Sequence, residues 1–157
     1  MGTILPAIVL LCLLMGLLGY YFVSLIPAST VPSMPLDKAR ALFKLRREWL
    51  EADFVNLASN FGKPRGLAWK DCDFGSNVEY ARDPESGELC AFVEVTISFE
   101  AIEGEGMEDV EAVGNLRAAT AVFHLNDDAW MTKGRAIFNL NPLQAIEHYN
   151  LQLETVE

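Results

Sequence analysis

Three patterns of apolar residues follow one another along the chain. From Ile4 to Ile26 the side chains are almost all apolar, and no Asp, Glu, Lys or Arg interrupts the 23 positions. A helix rising about 1.5 Å per residue crosses a hydrocarbon core of about 30 Å with roughly 20 residues. The pattern therefore predicts a transmembrane helix over 4–26. A cleaved signal peptide would want a basic start and an apolar core of about 7–15 residues, and Met1-Gly2-Thr3 carries no base. A lipoprotein signal would want a small residue before the modified cysteine, whereas Cys12 follows Val9-Leu10-Leu11. Tyr20 and Tyr21 suit a headgroup region near one end of the span. Gly16 and Gly19 do not make the small-xxx-small spacing of a helix dimer.

Pro27, Pro32 and Pro35 then prevent that helix from running on, and 27–35 is expected to be a semi-rigid linker. Next, Leu36, Ala39, Phe43, Leu50, Phe54, Leu57 and Phe61 recur on one face at the 3.6-residue period. This predicts a long helix from Leu36 to Phe61, with Gly62 as its stop. Leu45 and Trp49 make a second, weaker strip, and Arg46 and Arg47 flank the main face with stems that can lie along it.

After Gly62-Lys-Pro-Arg-Gly66 the period falls to 2, as an antiparallel sheet with one buried face requires. Strands are expected at Leu67 to Phe74 and Asn77 to Arg82, joined at Gly75-Ser76. Asp83-Pro-Glu-Ser-Gly87 is a turn. In Leu89 to Phe99 the odd positions from Leu89 to Phe99 form the buried face, opposite Cys90, Phe92, Glu94, Thr96 and Ser98. Asn115 to Leu125 and Trp130 to Leu140 make a last hairpin around Asn126-Asp127-Asp128. Asn141-Pro142 opens a short helix to about Asn150. The fold class is α+β: one domain, 36–157, in which a long helix covers a four- to five-stranded antiparallel meander. Cystatin-like and NTF2-like folds share that outline as an analogy of element order, which carries no function.

Charge changes the picture of the surface. The stretch from Asp37 to Asp53 is net +1, and everything beyond Asp53 is net −11. An acidic body without a basic patch argues against nucleic acid as a partner. No base precedes the apolar span, while Lys38, Arg40, Lys44, Arg46 and Arg47 follow it, which favours a cell-membrane protein with its domain on the cytoplasmic side. Cys72 and Cys90 fit reduced, buried thiols; a disulfide between them is the rival if the domain faces outward.

Candidate chemistry is sparse. The connection from Ile102 to Gly114 carries Glu103, Glu105, Glu108, Asp109 and Glu111, and a loop of a dozen residues in so small a domain is often functional. It is the expected contact for a protein partner. Its carboxylates lack the EF-hand spacing, so a cation site is the weaker reading and no metal or other cofactor is expected. Asp71 and Asp73 share a strand face, with Glu79 nearby, and a solvent-facing role outweighs acid/base chemistry. His124 and His148 have no cysteine or second histidine near them in sequence and are expected to be structural. Asn115, Arg117, Asn139 and Asn141 lie near strand ends, where capping is the expected role. No nucleophile elbow, phosphate-binding loop, dinucleotide fingerprint or metalloprotease helix is present, which lowers the expectation of an enzyme.

The run GLAWKDCDF followed by VEYARDPESGELCAFVEVTISFEAIEGEGMEDVEAVGNLRAATAVF resembles a group of uncharacterised bacterial membrane proteins of planctomycete type, with the same anchor-plus-domain layout. The resemblance implies no activity and no site. Type IV pilin-like subunits share the apolar helix and sheet, but the basic leader and early glutamate are missing and prolines break the helix. The expected function is a membrane-anchored interaction or accessory domain, held in the lipid bilayer through 4–26. The alternative is a ligand-binding or catalytic cup between the long helix and the sheet, near Trp69, Asp71, His124 or Arg135.

Overall fold

In the computed structural model, the structure describes Met15, residues 34–61 and residues 66–154. The expected span at 4–26 lies outside these residues apart from Met15, as does most of the 27–35 linker. Among the described residues no helix is long and apolar enough to cross a membrane.

Helix α1 runs Leu36–Phe61. It buries Ala39, Phe43, Leu50, Phe54 and Ala58, while Leu36 packs only partly. The expected face is thus largely observed, with Ala58 taking the central place expected of Leu57. Leu45 and Trp49 stand in solvent at 80% and 78% exposure, so among the described residues the second strip is left uncovered.

Five antiparallel strands follow: β1 Leu67–Arg82, β2 Leu89–Ala101, β3 Arg117–Asn126, β4 Ala129–Phe138 and the two-residue β5 Gln152–Leu153, with helix α2 at Pro142–His148 before β5. The sheet order is β4-β3-β2-β1-β5, a meander whose far edge receives the returning chain. Arg82 Nε meets Glu154 Oε1 at 2.7 Å, and Arg40 donates to the Glu154 carbonyl at 3.0 Å, so the return is pinned to both sheet and helix.

The two strands expected before Asp83 are one. Phe74 pairs with Val95 and Val78 with Val93, so three residues of β1 oppose one of β2 and the Gly75-Ser76 break is a bulge rather than a turn. The Arg47 guanidinium donates to the Gly75 and Ser76 carbonyls that the bulge removes from the ladder. A second bulge at Lys70, between the Trp69 and Asp71 pairings, shifts the alternation. Trp69, Cys72 and Phe74 therefore all pair with residues of the α1 side.

The sheet is buried on the α1 face and partly covered on the other, rather than on one face alone. Leu89, Ala91, Val93, Val95, Ile97 and Phe99 face α1 as the alternation requires. On the reverse, Ala81, Cys90, Phe92, Val122 and Ile137 meet Ala145 and Ile146 of α2. Asn141 caps α2 by accepting from Gln144 N at 2.9 Å, while the Gln144 side chain accepts from Asn141 N at 3.0 Å. Cys72 and Cys90 are free and stand on opposite faces, which removes the disulfide.

Phe43 is the centre of the main core, edge-on to Trp130 at 5.1 Å, Phe123 at 5.3 Å and Tyr80 at 6.0 Å. Trp130 Nε1 donates to the Ala39 carbonyl at 2.8 Å, so the hairpin and the helix share a buried hydrogen bond. At the other end of α1, backbone meets backbone. Gly134 has φ +68°, and a Cβ there would lie 2.6 Å from Leu57 Cβ and 2.7 Å from Ala58 N. Gly134 sits in a β4 bulge, where Thr132 Oγ1 donates to the Val122 carbonyl at 3.0 Å and accepts from Gly134 N at 3.1 Å.

Gly134→Ala should therefore strain the backbone and push α1 off the sheet. A loss of about 2–5 kcal/mol is expected, from overpacking plus the left-handed conformation. Thermal melting followed by near-ultraviolet circular dichroism checks it, and a melting point within a degree of the parent would show that α1 does not lie this close.

Candidate functional site

The β2–β3 connection is more built than its composition suggests. Gly104 and Gly106 take φ of +82° and +78°, and the Glu108 carboxylate folds back to accept from Gly104 N. Backbone N–H groups of Glu108 itself and of Gly104 hold this carboxyl below the ordinary glutamate range. A short 3-10 turn over Glu111–Gly114 follows, and Arg117 donates to the Ala112 carbonyl at 3.2 Å.

All five predicted carboxylates, on Glu103, Glu105, Glu108, Asp109 and Glu111, are exposed. Of the apolar residues between them, Met107 is half-buried and Val110 stays exposed. Met107 covers Gly66, whose φ is +76° and where a Cβ would lie 2.7 Å from Met107 Cγ. Ile102 N donates to the Gly66 carbonyl at 2.9 Å, so the loop is fastened to the start of β1.

Beneath the loop lies an open cavity of about 380 Å³ at the end of the sheet. Leu67, Phe99, Met107, Val110 and Phe138 supply apolar wall, and Arg117 and Asn139 supply polar groups. Such a pocket suits one large apolar side chain or a small ligand. The sequence had marked the carboxylates and missed the pocket; the available signal was the apolar triplet Met107, Val110 and Val113 at helical spacing within the acidic run.

The other candidates are dispersed. Asp71 and Asp73 are exposed on the α2 side of the sheet, and Glu79 lies on that side near its far end, about 20 Å from Asp71 and about 13 Å from Asp73 along the strands at about 3.3 Å per residue. Trp69 faces α1, opposite to Asp71, and its buried Nε1 has no hydrogen-bond partner among the described residues. Arg135 stacks over the Tyr149 ring at 4.8 Å and donates to its hydroxyl at 2.7 Å. Trp69, Asp71, His124 and Arg135 are thus not brought together, and the α1–sheet interface near Phe43, Phe54 and Phe123 is filled by side chains.

His148 packs edge-on to Tyr149 at the end of α2. His124 departs from its expected isolation. Strand register puts it opposite Cys90, with Cys90 Sγ 3.4 Å from His124 Nδ1. Burial pushes the Cys90 thiol up to about 12 and lowers the His124 imidazole below its ordinary value, against the opposing pull of Glu88.

Gly66→Ala should strain φ and displace Met107, loosening the loop while leaving the sheet folded. Amide hydrogen exchange over residues 102–114 is expected to accelerate at least about tenfold, as a local loss of about 1.4 kcal/mol would give. Unchanged exchange there would show that the loop is held elsewhere.

Comparison with protein-family models, with curated proteins and with solved structures finds no match, so the function has to be read from the chain's own chemistry.

Proposed function

We propose that the protein is a membrane-tethered interaction domain, anchored through residues 4–26, that receives a partner at the β2–β3 loop. The observation that carries this reading is an apolar cavity of about 380 Å³ directly beneath five exposed carboxylates. A partner segment with one large apolar side chain flanked by lysine or arginine matches both features. The side chain enters between Met107, Val110 and Phe138, where its burial contributes about 1.5–3 kcal/mol. The flanking cations meet Glu103, Glu105, Glu108, Asp109 and Glu111, which guide approach and orientation more than they add affinity. The net −11 of the chain beyond Asp53 disfavours contact with anionic lipid.

A small apolar ligand in the same cavity is the second reading, favoured by Arg117 and Asn139 on its wall. The readings differ in their dependence on the carboxylates: a basic partner needs them, and a small ligand oriented by Arg117 does not.

Two variants of the full-length protein, purified in detergent with its co-purifying partner, separate these terms. Charge reversal at Glu105, Glu108 and Asp109 should weaken capture at low salt and matter little at high salt, because the screening length falls from about 10 Å at 0.1 M to about 3 Å at 1 M. Ala112→Trp should fill the cavity and weaken capture at both. Capture indifferent to both changes would sink the site, and recovery of the intact chain in the aqueous fraction without detergent would sink the tether.

A further inference from the structure

At the opposite end of the sheet from the acidic loop, three chemically different side chains converge. Glu88 immediately precedes β2, Cys90 is its second residue, and His124 stands across from Cys90 on β3. His124 Nδ1 is 3.4 Å from Cys90 Sγ and 3.3 Å from Glu88 Oε1, and one ligand atom from each residue lies within 4.8 Å of the other two. We propose that Glu88, Cys90 and His124 form a three-ligand site for a borderline-soft first-row metal ion, zinc being the best match.

Distances carry the argument first. A tetrahedral zinc with bonds of about 2.3 Å to sulfur and about 2.0–2.1 Å to nitrogen or oxygen sets neighbouring ligand atoms about 3.3–3.6 Å apart. The two edges at Nδ1 already have that length. In a nucleophile–base–orienter relay, sulfur and carboxylate would use different ring nitrogens. Here both approach Nδ1, which is the arrangement of groups around one centre rather than along a chain.

The ligand types fit as well. Thiolate and imidazole select zinc and its neighbours over magnesium or calcium, and the carboxylate completes a mixed set. Rigid elements hold all three: the register fixes Cys90 against His124, and Glu88 is held by the Asp83–Glu88 turn, whose Asp83 N donates to the Glu88 carbonyl at 3.0 Å. The buried Cys90 and the Glu88 side chain, 37% exposed, mark a site that opens to solvent on one side. A fourth ligand, water or a group from a partner, can enter there. Asp83 and Glu88 offset the positive potential of Lys133 and Arg135 around the site. On binding, the Cys90 S–H bond is replaced by a sulfur–metal bond, and one proton leaves to solvent.

Cobalt(II) titration of the full-length protein in detergent tests this, in a Cys12→Ser, Cys72→Ser background that leaves Cys90 as its one thiol. Expected are one cobalt per chain, an ultraviolet thiolate-to-cobalt charge-transfer band, and bleaching of that band by one equivalent of zinc. Cys90→Ser should abolish the band with circular dichroism unchanged. Glu88→Gln, at a half-exposed position that the fold tolerates, should weaken cobalt affinity at least about tenfold. No band in the parent, a band that survives Cys90→Ser, or an affinity unmoved by Glu88→Gln would each overturn the site, and the last stands even if the cysteine variant misfolds.

Discussion

The close approach of α1 to β4 is the constraint on which the rest of the domain depends. At one end of the contact Trp130 reaches the Ala39 carbonyl, and at the other Gly134 lies against the backbone of Leu57 and Ala58. Between these points Phe43 and Phe54 find their aromatic partners. Small residues set the distance: Ala39 and Ala58 on the helix, Ala119 and Ala121 on β3, and Gly134 on β4. With the helix so close, the large side chains interdigitate, and burial rather than helix propensity fixes the layer.

Bulges adapt a plain meander to that helix. An unbroken alternation in β1 would have sent either Trp69 or Cys72 to the reverse face; the extra residue Lys70 lets both point toward α1. The bulge at Gly75-Ser76 costs ladder hydrogen bonds, and Arg47 restores partners to the freed carbonyls while pairing with Glu51 at 2.6 Å. A residue read from sequence as a cation snorkelling from the edge of a helix is thus also the clamp on a strand.

These features explain what was legible in the sequence. Periodicity identified α1, β2 and the last hairpin because each keeps one period over ten or more residues. It divided β1 in two because a bulge and a turn share the same Gly-Ser signature. It left the reverse face of the sheet as solvent because α2 is too short to announce an apolar face, with Ala145 and Ile146 its only buried residues. The carboxylates of the loop were plain in the sequence, whereas the cavity required Leu67, Phe99 and Phe138 from three separate places to be brought to one sheet end. Cys90 and His124 lie 34 positions apart and meet only through register, which local pattern does not specify.

The two candidate sites lie at opposite ends of β2, about 30 Å apart along the ten residues from Cys90 to Phe99, nine steps of about 3.3 Å. The separation follows from the fold. Mid-sheet positions are covered by α1 on one face and partly by α2 on the other, so convergent polar groups can gather only where strands enter and leave. At one end the long β2–β3 connection brings in carboxylates and an apolar lid; at the other the tight turn before β2 brings in Glu88 alone, beside two cross-strand partners. An ion bound there would tie the start of β2 to the end of β3, the same two strands that the acidic loop joins at the far end. Metal occupancy and partner binding would then bear on this strand pair from opposite faces of the sheet, since Cys90 belongs to the core against α2 and Phe99 to the core against α1.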